Sequence, residues 1–302
     1  MKDRKKSALF VLFLGVSLVL AQQLHAQAPA VSGSAGKEEQ EHGFTLTESF
    51  EGSSNSDGYV LDLTSTSGYI FSKHFSLDVG LPIYFVGGTT AIGQKNSSNT
   101  VGDAFTALHF TFKNPALNYG ATLTATAPSG STSGGSSTGH ATFDWSNTFS
   151  REFGAWSPFA TIGAGNSVLS SREYKRPYLT LGKVAHFEVG TSHELGHSLS
   201  FNASAYAIEP WGTQTLYSRI VTTKAGGAGG TAKSGRVYTT IVRTTGGAEL
   251  VRDNGFNTGL DFSPSRFVDL GMVFSRSTHL HLNTISFGIS FNLSPLFHGA
   301  GR

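Results

Sequence analysis

The stretch Ile285–Leu293, ISFGISFNL, alternates strictly between large apolar side chains and small or polar ones. The apolar row contains Ile285, Phe287, Ile289, Phe291 and Leu293, and the other row contains Ser286, Gly288, Ser290 and Asn292. A period of two residues places successive side chains on opposite faces of a β-strand. The stretch therefore predicts a strand with one apolar face and one polar face.

The same alternation recurs along most of the chain, for example in Phe75–Phe85, FSLDVGLPIYF. It predicts about twelve strands, at residues 43–54, 58–71, 75–86, 101–113, 117–127, 139–151, 157–169, 178–193, 197–209, 255–263, 267–276 and 281–293. Short turns such as 72–74 alternate with long loops such as 128–138 along most of the chain. An even number of strands with this rhythm is typical of bacterial outer-membrane barrels.

The composition favours the same fold class. Charged residues make up only 14% of the chain, against about 25% in an average soluble protein. A water-soluble β-sandwich or propeller also alternates, but its exposed faces would carry more lysine and glutamate. Closed barrels cross a bilayer without helices because every backbone hydrogen bond is satisfied between strands. The sequence therefore predicts an all-β, transmembrane, antiparallel up-and-down barrel.

The N-terminus predicts export. A basic segment, residues 1–6, precedes an apolar run at 8–21, and small residues allow cleavage after Ala26 or Ala28. The run is shorter than the roughly 20 residues of a spanning helix. We expect a signal peptide at 1–26, a flexible tail at 27–42 and an outer-membrane barrel at 43–302. The exported chain keeps 18 basic and 19 acidic residues, because the signal peptide holds four of the 22 basic and one of the 20 acidic. This balance predicts no nucleic-acid partner.

Residues 210–254 form the longest connection and leave the number of strands open. Thr213–Gly226 and Gly235–Gly247 flank the sequence GAGGTAKS and can form a hairpin within the loop or two further barrel strands, making fourteen. The connection contains the basic residues Arg219, Lys224, Lys233, Arg236, Arg243 and Arg252. It can contact lipopolysaccharide phosphates or remain a solvated loop.

The sequence HELGH at 193–197 matches the His-Glu-x-x-His pattern of zinc peptidases. That chemistry requires a helix, which brings both imidazoles to one face. Here both flanks alternate with period two, and Leu195-Gly196 suits a tight turn between strands. A third ligand of the extended pattern is also missing, because serine and alanine occupy positions 200 and 203. We predict a chance match in a β-turn, with no enzymatic activity, no metal and no cofactor.

Motifs within Val101–Asn166 carry a resemblance to a known family. A Gly-Asp pair opens one strand in VGDAFTALHFTF, the next strand ends in ATAPSGS, and SREFGAWSPFATIGAGN ends in Gly-x-Gly. These features resemble the transporter-type outer-membrane barrels grouped with the phenol meta-pathway proteins. The resemblance implies a twelve-stranded barrel that passes small molecules, apolar ones included. The C-terminus departs from the pattern, because Phe297 is followed by five further residues rather than ending the chain.

The polar rows of the strands are expected to face the barrel lumen. The lumen-facing candidates are Asp62, Asp78, His109, Lys113, Asp144, His186, Glu188, Asn202, Asp261 and Asp269. Acidic groups outnumber basic ones in this set, which favours a weak cation preference. Aromatic residues expected near the membrane interfaces are Tyr59, Tyr69, Tyr84, Trp156 and Trp211.

These features predict an outer-membrane channel for an unidentified small solute. Its expected partners are outer-membrane lipid, lipopolysaccharide and the barrel-assembly machinery. Two alternatives remain open at the level of sequence. One is a barrel enzyme acting on lipid or peptide, for which His186 and Glu188 share one inward face. The other is a structural or adhesive barrel that acts through its outer loops.

Overall fold

The computed structural model describes residues 42–88, 97–171, 174–220 and 243–295. The strands are β1 (Gly43–Asn55), β2 (Gly58–Ser72), β3 (Phe75–Gly88), β4 (Ser97–Val101), β5 (Ala104–Phe112), β6 (Asn118–Ala127), β7 (Thr142–Ser150), β8 (Trp156–Gly165), β9 (Tyr178–Leu181), β10 (Val184–Glu194), β11 (Leu199–Pro210), β12 (Gln214–Ser218), β13 (Arg243–Gly246), β14 (Asp253–Ser265), β15 (Val268–Ser277) and β16 (Leu282–Asn292). A 3-10 turn, Ala248–Leu250, precedes β14. The predicted signal peptide and nearly all of the predicted tail lie outside the described residues.

Twelve of these strands form one closed antiparallel barrel, as predicted. The order around the ring is β1, β2, β3, β5, β6, β7, β8, β10, β11, β14, β15 and β16, and β1 pairs with β16 to close it. Closure removes the exposed sheet edges that invite aggregation. β4 extends the wall by pairing with the outer half of β3, whereas β5 pairs with the other half.

The remaining strands settle the choice between twelve and fourteen. β9, β12 and β13 form a separate three-stranded sheet, so the hairpin predicted in the long connection belongs to the loops and not to the barrel wall. The predicted strand 178–193 is correspondingly split into β9 and β10. Gly182 marks the break with a φ of 152°, and a Cβ there would lie 2.2 Å from Gln214 Oε1.

The two rims of the barrel differ in their connections. The short-turn rim carries turns at 73–74, 113–117, 151–155, 195–198 and 266–267, together with the start of β1 and the end of β16. The long-loop rim carries the connections 128–141, 166–183 and 211–252, and also two tight hairpins at its first and last crossings. In outer-membrane barrels the short turns face the periplasm and the long loops face outward.

The two faces of the wall differ in most of the barrel strands. Large apolar side chains on one face are exposed, with Val189 61% exposed and Met272 and Ile285 both 59% exposed. Residues on the other face are small or polar and buried, such as Asp62 and Asp78, each 2% exposed. An exposed apolar band of this kind fits contact with lipid acyl chains.

Among the described residues, no helix is long and apolar enough to span a bilayer.

Candidate functional site

The polar face of the barrel wall is acidic. Its carboxylates include Glu51, Asp62, Asp78, Asp144, Glu188, Asp253, Asp261 and Asp269. Arg276 is the one lysine or arginine in the twelve barrel strands as the structure describes them, and it lies on the apolar face, where it donates to Asn283 Oδ1 at 2.7 Å. Because buried carboxylates require donors or counter-ions, the contacts of this face define its chemistry.

Two of the predicted residues, Asp78 and His109, contact each other near the short-turn rim. His109 Nε2 is 2.5 Å from Asp78 Oδ2, and His109 Nδ1 is 3.0 Å from Thr122 Oγ1. A carboxylate, an imidazole and a hydroxyl arranged in a row resemble a catalytic triad, but Thr122 is only 8% exposed. The arrangement brings buried polar groups into contact with one another and offers no accessible nucleophile.

Two further predicted residues, Asp144 and His186, contact each other although their strands are not neighbours. His186 Nε2 on β10 contacts Asp144 Oδ1 on β7 at 2.9 Å, and β8 lies between them. The imidazole crosses β8 above Gly163, where a Cβ would lie 2.3 Å from the ring. A Cβ at Gly165 would likewise approach Asp144 Oδ1 to 2.9 Å. The Gly-x-Gly motif that ends β8 therefore provides the space for this contact.

The other predicted residues are paired locally along the wall. Ser204 donates to Glu188 at 2.5 Å, Asn202 donates to Asp261 at 2.5 Å, and Ser263 donates to Asp269 at 2.6 Å. All three contacts link neighbouring strands. His186, which shares an inward face with Glu188, contacts Asp144.

Lys113 differs from the other predicted residues. It follows the last residue of β5 and is exposed in the 113–117 turn, away from the polar face of the wall. Asn114 Oδ1 accepts the backbone N–H groups of Ala116 and Leu117 and so closes the turn immediately after it. The alternation of β5 stops at this turn. The position of Lys113 therefore cannot be assigned to a face of the wall from the alternation of β5.

A loop lysine reaches the wall on the opposite side of the ring. Lys175 follows β8, the seventh strand of the ring, yet it contacts the first two strands. Its backbone N–H donates to Ser53 Oγ at 2.8 Å, and its Nζ lies 2.6 Å from Glu51 Oε2 and 3.0 Å from Asp62 Oδ2. The described part of the loop that carries Lys175 therefore contacts the first two strands inside the long-loop rim.

Residues from two further connections pack against this segment. The Arg219 guanidinium donates to the carbonyls of Arg176 and Gly135, at 3.2 and 3.3 Å, and lies 4.1 Å above the Tyr84 ring. Gly135 has a φ of 65°, and a Cβ there would lie 2.2 Å from the Ser218 carbonyl. Three loops thus meet in close contact at one end of the barrel.

The Lys175 ammonium is held in its charged form. Burial alone would lower the pKa of Lys175, but the carboxylates of Asp62 and Glu51 outweigh burial and raise that pKa above its usual value. Asp62 Oδ1 is buried and has no hydrogen-bond partner among the described residues. The lysine therefore neutralises part of a carboxylate pair and leaves one buried oxygen unsatisfied.

Two expectations about position are corrected by these contacts. Tyr84 was expected at a membrane interface, but it packs with Val60 and Val86 on the polar side of the wall because Ile220 and Arg219 fold over it. Arg219 was expected on a lipopolysaccharide-facing or solvated loop, but it is only 6% exposed. Lys224, Lys233 and Arg236 lie outside the described residues.

The HELGH segment forms a hairpin, as predicted. β10 ends at Glu194 and β11 begins at Leu199, and the Leu195 N–H donates to the Leu199 carbonyl at 2.9 Å. His193 stacks on Trp156 with ring centroids 4.1 Å apart. This geometry does not provide the helical face that the zinc peptidase pattern requires. Within the described ranges, no three His, Asp or Glu side chains cluster as a metal site.

Lys175 and Glu51 were not identified from the sequence. Glu51 belongs to the same alternating row as the predicted residues, but only the β1–β2 register shows that it lies beside Asp62. The adjacent basic residues Lys175 and Arg176 in a loop between strands were the available signal, although their spacing says nothing about which wall they reach.

Comparisons with known proteins agree on the fold. No protein-family model and no curated relative matches the chain by sequence. Among solved structures, the chain is similar to the COG4313 outer membrane channel from Pseudomonas putida F1, with a TM-score of 0.56 and 12% identity over 88% of this chain and 100% of that chain. At a TM-score of 0.45 it also resembles the Pseudomonas putida toluene transporter TodX, at 9% identity over 90% and 95% of the two chains.

The same TM-score of 0.45 is found for the KdgM porin in complex with disordered oligogalacturonate, at 8% identity over 81% and 98% of the chains. The match at a TM-score of 0.56 confirms the predicted transporter-type outer-membrane barrel at the level of fold. An outer-membrane location and export by a signal peptide remain predictions. This chain has the twelve-stranded architecture of an outer-membrane channel.

Proposed function

We propose that the protein is an outer-membrane channel that passes small molecules through the lumen of its barrel. The observation that carries this proposal is the closed twelve-stranded ring whose outward face is apolar and exposed and whose other face is polar. A wall of this kind places water-compatible groups along the barrel axis and acyl-compatible groups against lipid. The polar face then lines the path of the solute.

The charge of that face favours cations over anions. Its carboxylates come from strands all around the ring, whereas the buried cations Lys175, Arg176 and Arg219 come from loops. Rings of carboxylates attract cations and repel anions in a narrow pore. We expect a modest cation preference, with neutral and apolar molecules also passing where they fit.

The two alternatives have less support. An enzyme needs an accessible nucleophile or metal, and the hydroxyl beside His109 is buried. An adhesive barrel needs loops that project outward, yet Lys175, Arg219 and Ile220 all pack against the polar side of the wall. We therefore propose a non-enzymatic function that depends on the barrel interior.

The test is reconstitution of detergent-extracted, folded protein. Folding is established first by a gel shift between unboiled and boiled samples, because membrane barrels stay folded in mild detergent. Swelling of proteoliposomes is then measured with cationic, neutral and anionic solutes of similar size, and conductance is recorded in planar bilayers. Cationic solutes are expected to enter faster than anionic ones. The same measurements are made on the Lys175→Gln variant, which lacks the loop ammonium that contacts Glu51 and Asp62. If neither the folded wild type nor this folded variant gives swelling or conductance, the proposal is contradicted.

A further inference from the structure

We propose that Lys175 is a tethered counter-ion that closes the long-loop mouth of the barrel. In this proposal Glu51 and Asp62 form a cation-binding site, which solute cations reach when Lys175 withdraws. We call these three residues the mouth latch. The proposal rests on the channel function proposed above and adds to it a binding site and a means of closure.

The carboxylate pair is built into the wall. Glu51 on β1 and Asp62 on β2 are direct register partners, so their side chains project side by side from the polar face. Glu51 is 8% exposed and Asp62 is 2% exposed. Two adjacent carboxylates at such low exposure require positive charge nearby. The pair is therefore a site for a cation, and in this structure the cation is the ammonium of Lys175.

The unsatisfied oxygen of Asp62 is a second, independent sign of a ligand. Lys175 Nζ approaches Asp62 Oδ2, whereas Asp62 Oδ1 has no partner among the described residues. Buried carboxylate oxygens normally have a donor. One lysine thus contacts the pair without completing its coordination, and a water-borne cation or an ammonium group can supply the missing contact.

The described parts of the connection that carries Lys175, residues 166–171 and 174–183, contact both sides of the ring. In the first part, Val168 packs with Val184 and Ile208 on β10 and β11. In the second part, Lys175 contacts Ser53, Glu51 and Asp62 on β1 and β2. A strap held on one side by apolar packing and on the other chiefly by charge releases at the charged end when another cation takes the carboxylates.

Release of the strap changes the electrostatic field at the long-loop mouth as well as the size of the opening. With Lys175 withdrawn, the pair loses its counter-ion and regains net negative charge, and the barrel strands supply no lysine or arginine on that face in the parts of the chain that the structure describes. Carboxylates in a low-dielectric opening concentrate cations. Opening and cation selectivity should therefore increase together, which separates the proposed site from a purely structural ion pair.

The experiment compares Lys175→Gln with Lys183→Gln in planar bilayers containing KCl. Lys183 lies in the same connection and is exposed, so its variant removes the same charge without touching the latch. We expect Lys175→Gln to raise unit conductance several-fold and to shift selectivity toward K⁺, while Lys183→Gln behaves as the wild type. Adding Glu51→Gln and Asp62→Asn to Lys175→Gln should keep the high conductance and remove the added selectivity. Lys175→Arg should stay closed.

The outcomes separate this proposal from the channel function. A conducting wild type with an unchanged Lys175→Gln variant overturns the latch and leaves the channel intact. Raised conductance without any change in selectivity overturns the cation site. The gel shift on boiling identifies a variant that fails to fold. In that case the double variant Glu51→Gln and Asp62→Asn replaces it, and the latch predicts that this variant also opens.

Discussion

Substitution of Gly163 by alanine tests the long contact between His186 and Asp144. The imidazole of His186 passes over β8 to reach a carboxylate two strands away, and Gly163 leaves the space through which it passes. A Cβ at this position would lie 2.3 Å from both His186 Cε1 and His186 Nε2, and 2.8 Å from the Trp145 carbonyl. A single methyl group should therefore displace the imidazole and break the 2.9 Å contact.

The cost follows from the group that loses its partner. Asp144 is 5% exposed, so its carboxylate cannot regain solvation by a small movement. A hydrogen bond to a charged group contributes about 1.5–3 kcal/mol, and the Gly163→Ala variant should lose an amount in this range. In a His186→Ala background the imidazole is absent, and Gly163→Ala should then cost much less. The remaining cost comes from the Trp145 carbonyl.

The assay is urea unfolding of the folded barrel in lipid vesicles, followed by tryptophan fluorescence and the gel shift. Gly196→Ala is the matched control, because a Cβ there meets nothing within 4 Å. The double-mutant cycle between positions 163 and 186 measures the coupling directly. An equal loss from Gly163→Ala in the presence and absence of His186 would refute the reasoning.

Four further predictions address the lipid-facing surface and the mouth latch. Val189→Arg places a charge midway along the outward face of β10, and urea unfolding should show a loss of about 2–4 kcal/mol, whereas Val189→Leu should show almost none. Glu48 lies on the same outward face of β1 and accepts a 2.7 Å hydrogen bond from Ser65, so Glu48→Leu should raise the unfolding free energy by about 1 kcal/mol; a loss of stability would mean that the carboxylate has a partner in the membrane. The pKa of Lys175 is raised, so the stability that its charge contributes is lost only when the pH rises through that raised value. Wild-type conductance should therefore not increase between about pH 7 and about pH 10 through loss of the latch charge. An increase that is absent in Lys175→Arg would contradict this. Gly135→Ala should raise conductance in the same bilayer assay, because its Cβ would force the Ser218 carbonyl away and loosen the loop contacts; unchanged conductance would show that this contact does not help to close the mouth.

The barrel strands were predictable because their signal is local. In Ile285–Leu293 and Phe75–Phe85, each side chain's face follows from its parity within a short stretch. The predicted strand 178–193 was too long, since its break at Gly182 depends on the contact with Gln214, which comes from a different connection. Alternation alone contains no information about such a contact.

The candidate site was predicted in part. Nine of the ten predicted residues lie in barrel strands on the polar face, because parity also decides the face. Their partners were not predictable, since the His186–Asp144 contact depends on the ring order and on the missing side chain at Gly163. Whether any of these residues contacts a solute remains a prediction.

The sequence by itself determined that the chain forms a barrel wall with an apolar face and a polar face, because a two-residue period acts through neighbouring side chains. Only the tertiary structure decided that the hairpin of the long connection stays out of the wall and that Lys175 crosses to Glu51 and Asp62. The physical reason is that closure of a ring brings together residues more than a hundred positions apart. Their contact depends on the order and register of all the strands between them.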